Sequence, residues 1–223
     1  AEDAKISGCL EMLRADFEIA PVAIESENNF PTAAGLASSA SGFAALITAL
    51  DAFSDLGLST EQRTVYARKA SGSAARSIFG GFASLGGPEW VGKPVLDRDE
   101  WPLKVVIAIT DEKKKSVSSS LGMKTSEQTS PYYEAWVSST AEDYSAALEA
   151  IAKRDFEHLA ALSESSCLKM HGVMQSSQPA MIYWRPATLS CIHAVCELRK
   201  DGTPVFFTID AGPQVKAVCL PTV

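Results

Sequence analysis

Three stretches of this 223-residue chain gather residue types that could bind an anion or move a proton. The first is Asn28-Asn29-Phe30-Pro31-Thr32-Ala33-Ala34-Gly35-Leu36-Ala37-Ser38-Ser39-Ala40-Ser41. Proline, glycine and small hydroxylated residues lead into an apolar run from Phe43 to Leu50, the pattern of a tight loop feeding a helix N-terminus. The N–H groups of a first helical turn and the positive end of its dipole suit a phosphate. Small side chains let that phosphate approach the backbone, and Ser38 and Ser39 add hydroxyl donors. An ordinary serine-capped helix after a proline turn reads the same way. A Walker loop does not, because no Gly-x-x-x-x-Gly-Lys-Ser/Thr run is present.

The second stretch is Ser71-Gly72-Ser73-Ala74-Ala75-Arg76-Ser77, followed by Gly80-Gly81. Two hydroxyls and a guanidinium could grip a carboxylate or phosphate, and arginine does so through two parallel hydrogen bonds. The same residues could equally form a flexible turn with Arg76 merely solvated. The third is Asp210, at the end of the apolar run Pro204–Ile209 and before Ala211-Gly212-Pro213. A rigid strand would aim its carboxylate outward for proton transfer; a turn-initiating aspartate is the alternative.

These residues need a folded frame, and the composition supplies one. At 46% hydrophobic and 21% charged the chain is globular in character, long enough for one large or two small domains. A net charge of −7 argues against broad nucleic-acid binding and offers no basic face for an anionic membrane. No apolar run approaches the roughly 20 residues of a membrane span, and the N-terminus lacks the basic-then-apolar design of a signal peptide. Cys9, Cys167, Cys191, Cys196 and Cys219 are odd in number and lack Cys-x-x-Cys spacing, which points to thiols of a reducing, cytoplasmic setting.

Helical spacing marks residues 6–14, about 38–53, 59–69, 133–156, 156–173 and 188–198. Ser59-Thr60-Glu61-Gln62 carries N-cap chemistry, and Pro131 suits a first helical turn. Strands are expected over Phe17–Glu25, over Lys104–Thr110 as a buried strand of a second domain, and over Pro204–Ile209. Residues 86–100, rich in Gly, Pro and charge, form a loop or irregular hairpin and the domain boundary, dividing the chain into 1–100 and 101–223. Asp111–Lys115 reads as a solvated charge run, and Ser116–Ser130 as a polar, mobile lid. His158, His171 and His193 fall in helices and read as structural, not metal-binding.

Pro31–Ala40 resembles the phosphate loop of the GHMP kinase superfamily, Pro-x-x-x-Gly-Leu-Gly/Ala-Ser-Ser-Ala. Together with Asn28-Asn29-Phe30, Ala70–Phe82 and Phe207-Thr208-Ile209-Asp210-Ala211-Gly212-Pro213, the chain is similar to the diphosphomevalonate decarboxylase family from about Asn28 to Cys219. The resemblance implies an α+β, two-lobed GHMP kinase fold: an incomplete N-terminal lobe like ribosomal protein S5, and a ferredoxin-like C-terminal lobe, with nucleotide and substrate between them. It implies that Ala34, Gly35, Leu36, Ala37, Ser38 and Ser39 bind ATP with Mg²⁺. Ser71, Ser73 and Arg76 would hold the substrate, Arg76 facing its carboxylate, and Lys124 and Thr129 would lie near its diphosphate. Asp210 would join Arg76 in catalysis. At Ala75 relatives often carry Ser or Cys, and Gln214 stands where the family usually has Asn.

The implied reaction is ATP-dependent decarboxylation of mevalonate 5-diphosphate to isopentenyl diphosphate, within isoprenoid biosynthesis, by a homodimer. A phosphomevalonate decarboxylase, another GHMP small-molecule kinase or a non-catalytic sensor on the same scaffold are the alternatives. The Ser71-Gly72-Ser73-x-x-Arg76 clamp argues against a simple kinase. The family's Tyr-Trp-Gly-Lys segment is not found, and relatives continue past the Asp-Ala-Gly-Pro strand, so residues 1–223 alone are expected to be weak or inactive.

Overall fold

A computed structural model describes residues 2–113 and 117–221. The chain divides into two compact units, one comprising residues 1–31 and 37–98 and the other residues 32–36 and 99–223. Residues 32–36 group with the second unit and the residues on either side of them with the first.

In the first unit, helix α1 (Glu2–Arg14) is followed by irregular chain, then α2 (Ser38–Ser54), α3 (Thr60–Ala70), a 3-10 turn (Ala74–Ile78) and a hairpin of β1 (Phe82–Gly86) and β2 (Val91–Leu96). Helix α2 forms because Ala40, Phe43, Ala44, Ile47 and Leu50 recur at three- and four-residue spacing and bury one face. That face meets Cys9 and Leu13 of α1 and Tyr66 and Ala67 of α3. Full burial of a side chain such as Ile47 contributes roughly 1.5–3 kcal/mol. Helix α3 starts where expected, at a reciprocal capping box: Gln62 N donates to Ser59 Oγ at 3.2 Å and Ser59 N donates to Gln62 Oε1 at 2.8 Å.

Two expectations fail in this unit. Residues 17–25 are irregular, not a strand, because a strand exists only with a paired neighbour and none of the described residues supplies one. Arg14 instead takes the carbonyls of Ile19 and Ala20. Residues 74–78 are a 3-10 turn rather than a flexible link, held by bonds from Ala74 N to Ser71 O and from Arg76 N to Ser73 O.

The second unit runs β3 (Lys104–Ala108), α4 (Ser119–Thr129), α5 (Tyr133–Lys153), α6 (Phe156–Gln175), α7 (Pro186–Lys200), β4 (Val205–Thr208) and β5 (Val215–Cys219). The strands form an antiparallel sheet in the order β3-β5-β4. Val205, Phe207 and Ile209 pack with Cys167 of α6 and Val195 of α7. Phe206, on the opposite face of β4, meets Phe156 with ring centroids 5.4 Å apart. Strand β4 is therefore buried on both sides, which is why it reads as a continuous apolar run.

Strand β3 forms where predicted but is not buried: Val105, Val106 and Ile107 are 55%, 61% and 49% exposed. It is the sheet edge, bonded to β5 on one side only. The expected lid is, over residues 119–129, a helix capped by Ser118, whose Oγ accepts from Leu121 N. Ser126 Oγ and Ser177 Oγ stand 2.9 Å apart, and Ser130 and Ser176 Oγ 2.7 Å, fastening α4 and its end to the end of α6. Lys114, Lys115 and Ser116 of the charge run and lid lie outside the described residues.

Candidate active site

In the first unit the segment Ala37–Ser39 begins α2. Ala37 is the N-cap in a left-handed conformation (φ 56°), without a side-chain cap and without an acidic residue in the following turn. No acidic residue of the first turn offsets the positive helix end, and such an end suits a phosphate group. Ser39 Oγ lies 3.3 Å from Ser71 Oγ, joining two of the predicted segments. Ser71 caps α3 and Ser73 opens the 3-10 turn that carries Arg76. The Arg76 side chain is exposed and its guanidinium makes no hydrogen bond or ion pair with the described residues, which leaves both of its edges open. Ala75 beside it is fully buried.

In the second unit Ala34 and Gly35 are buried against the Asp210–Pro213 turn. Gly35 (φ +87°) crosses Gly212 so closely that a Cβ on Gly35 would stand 2.7 Å from Gly212 Cα, and one on Gly212 would stand 2.6 Å from Gly35 Cα. Two glycines are needed for that approach. Gln214, fully buried, stitches the crossing: its Nε2 donates to Ala34 O at 3.1 Å and to Asp111 O, and its Oε1 accepts from Thr110 N at 2.7 Å. The Gln214 amide thus has partners for its oxygen and for its nitrogen. Thr110 and Thr188 hydroxyls both donate to Pro213 O at 2.8 Å, bracing the turn.

Asp210 follows β4 and keeps its side chain 59% exposed, whereas the Lys216 side chain is 13% exposed. Lys216 Nζ donates to Asp210 Oδ2 at 2.7 Å and to Gly35 O at 3.1 Å, so the acid and the phosphate-loop glycine share one ammonium. Beneath the strand end lies His171, 1% exposed. Trp184 Nε1 donates to its Nε2 at 3.3 Å, so the ring proton sits on Nδ1. The ring also meets the backbone carbonyls of Asp210 and Ile209, while burial pushes its pKa down to about 4. Cys167 Sγ donates to Ile209 O at 3.4 Å, and burial pushes that thiol up to about 11, out of the nucleophilic range.

Lys124 is exposed on α4. Thr129 is already engaged: its Oγ1 donates to Thr125 O at 2.7 Å and accepts from Gln178 N at 2.8 Å. Leu36 and Ser38 are both half-buried. Among the described residues no group of three or more His, Cys, Asp or Glu could hold a metal ion.

The structure therefore joins Ser39 with Ser71 in one unit and Gly35 with Asp210 in the other. Sequence reasoning missed Lys216, Thr110, Thr188 and the role of Gln214. One signal could have found Lys216: a hairpin closed by Asp210–Pro213 pairs Thr208 with Lys216, setting that lysine beside the strand end that carries Asp210.

Both halves of the chain match known domain families. The diphosphomevalonate decarboxylase-like N-terminal domain matches residues 1–89, so the likeness begins before Asn28, and the mevalonate 5-diphosphate decarboxylase C-terminal domain matches residues 105–220. Diphosphomevalonate decarboxylase of Ganoderma lucidum is 36% identical over 207 residues, covering 86% of this chain and 52% of the relative. The chain thus spans about half the length of that curated relative. Mevalonate diphosphate decarboxylase of Staphylococcus aureus superimposes with a TM-score of 0.89 at 35% identity, over 99% of this chain and 69% of the other. A structure described as MDDEF in complex with MVAPP, AMPPCP and magnesium gives 0.87 at 38% identity, over 98% and 68%. The α+β, two-lobed GHMP kinase architecture is common to all of them and to this chain. By fold and by both domain matches, the chain belongs to the mevalonate diphosphate decarboxylase family.

Proposed function

We propose that this chain carries catalytic and binding residues for the ATP-dependent decarboxylation of mevalonate 5-diphosphate, giving isopentenyl diphosphate, ADP, phosphate and carbon dioxide. The observation that carries the reading is the shared ammonium of Lys216, which sets the Asp210 carboxylate and the Gly35 carbonyl of the phosphate loop on one network. It is supported by a relative, MDDEF, whose structure holds MVAPP, AMPPCP and magnesium.

A tertiary alcohol is a poor leaving group, and ATP with Mg²⁺ supplies the phosphoryl group that makes it a good one. Ala34–Ser39 would receive nucleotide phosphates at the uncapped start of α2. Asp210 accepts the hydrogen bond of the 3-hydroxyl and takes its proton as the new phosphorus–oxygen bond forms. Ser71, Ser73 and Arg76 hold the substrate carboxylate, with Arg76 giving two parallel hydrogen bonds, and Lys124 lies toward the diphosphate. The phosphate then leaves with the carbon–oxygen electron pair. The carboxylate carbon departs as carbon dioxide, and the electrons of its broken bond form the alkene. Thr129 serves this reading only as a brace of α4, since its hydroxyl is used within the protein.

Five unpaired cysteines fit a reducing cytoplasm, and a homodimer is the assembly we assign, to be checked by light scattering. No described helix is long and apolar enough to cross a membrane. The test is release of labelled carbon dioxide by the full-length protein from carboxyl-labelled mevalonate 5-phosphate and 5-diphosphate, with ATP. Release from the diphosphate supports the reading. Release only from the monophosphate assigns the alternative decarboxylase, phosphorylation without release a kinase, and binding without turnover a sensor.

A further inference from the structure

We propose that Lys216 is a positioning residue that sets the aim of Asp210 and the height of the phosphate loop together, leaving Asp210 Oδ1 as the oxygen that meets the substrate hydroxyl. This rests on the reading of Asp210 given above. Lys216 lies on β5, the central strand of its sheet, and its ammonium has donors only. One donor goes to Asp210 Oδ2 at 2.7 Å and another to Gly35 O at 3.1 Å. Its side chain is 13% exposed although it ends in a charge, so it is fixed along its length, while the carboxylate that it meets is 59% exposed. Oδ1 of Asp210 has no partner among the described residues. A carboxylate tethered through one oxygen loses its freedom to rotate and presents the other in a constant place. Gly35 cannot drift from that place either, because Gly212 stands against it and the same ammonium holds its carbonyl. One side chain thus couples the position of a phosphate-loop glycine to the direction of the acid, and proton acceptance at Oδ1 coincides with phosphoryl transfer.

Loss of such positioning costs rate more than binding, on the order of 100-fold for a misplacement of about 1 Å. In the full-length protein, Lys216→Gln is expected to lower kcat by about 30- to 100-fold, with KM for ATP and mevalonate 5-diphosphate changed by no more than about threefold. Lys216→Arg, which can still donate to both oxygens, should stay within about tenfold of wild type. Adding Lys216→Gln to Asp210→Asn should cost almost nothing further, since the two act as one unit. A Lys216→Gln enzyme within threefold of wild type overturns the proposal, as do equal losses in the Gln and Arg variants or a double variant losing the full product of both effects. Thermal unfolding is followed for each variant; if Lys216→Gln melts below the assay temperature, a folded Lys216→Arg below one tenth of wild-type kcat counts against the proposal and one above it counts for it. A wild-type protein that releases no carbon dioxide from mevalonate 5-diphosphate overturns the decarboxylase reading instead. An active wild type with an inactive Asp210→Asn and a fully active Lys216→Gln overturns this inference alone.

Discussion

Replacing Gly35 with alanine strikes the backbone crossing between Gly35 and Gly212, beside the Asp210 turn. The added methyl would stand 2.7 Å from Gly212 Cα and 3.3 Å from Gly212 N, and the residue would keep φ near +87°. The left-handed conformation costs a residue with a Cβ about 1–2 kcal/mol, and overpacking against backbone adds about 1–3 kcal/mol. The loop can escape the clash by lifting, but that breaks the bonds from Gln214 Nε2 to Ala34 O and from Lys216 Nζ to Gly35 O. Those are worth about 1 kcal/mol and about 1.5–3 kcal/mol respectively, so either route costs about 3 kcal/mol. Two other glycines serve as controls. Gly202, at φ +91° with nothing within 4 Å of an added methyl, isolates the conformational cost, and its alanine variant should lose only about 1 kcal/mol. Gly172, inside α6 with open space around it, should gain about 0.5–1 kcal/mol as alanine. Urea denaturation of the three variants, with amide exchange at Thr110 reporting whether Gln214 keeps its place, reads the series. A Gly35→Ala variant no less stable than Gly202→Ala would refute the reasoning.

Two further outcomes follow from buried polar groups. His171 titrates near 6.5 when unfolded and about 4 when folded, because burial disfavours its charged form. Between those values the unfolded chain binds more protons, so stability is full above about pH 6.5 and falls by about 3 kcal/mol as the pH drops to 4. His171→Gln should flatten that part of the urea midpoint profile, and an unchanged slope would contradict the assignment. Asp51, 4% exposed, accepts Leu58 N at 3.0 Å and Arg63 Nε at 2.6 Å. Asp51→Ala should cost about 2–3 kcal/mol because the Leu58 N–H loses its acceptor, against about 1 kcal/mol for the partly exposed Arg63→Ala; the reverse order in denaturation midpoints would show that the ion pair, not the backbone bond, dominates.

Elements with local causes were legible in the chain. The apolar spacing of Ala40–Leu50 and the Ser59/Gln62 box are written within a few residues of the helices they specify, and both helices form there. Lys104–Ala108 was recognisable as a strand from its β-branched residues, but edge or interior depends on what pairs with it, and that partner is more than 100 residues away. Phe17–Glu25 shows the converse: alternation without a partner among the described residues yields no strand. The site divides in the same manner. Asp210, Arg76 and the Pro31–Ser41 loop stand out by composition, whereas the positions of Gln214 and Lys216 acquire meaning only through contacts with Ala34 and Gly35, some 180 residues earlier. His171 was assigned correctly to a helix, yet periodicity could not reveal that its imidazole meets the backbone at Asp210.

The proposed roles of Asp210 and Arg76 toward one substrate molecule are read together from a crystal structure of the full-length protein with mevalonate 5-diphosphate bound. The tertiary hydroxyl is expected within hydrogen-bonding distance of Asp210 Oδ1, with the carboxylate of the same molecule paired to Arg76. A ligand that meets only one of these two residues, or neither, would contradict it.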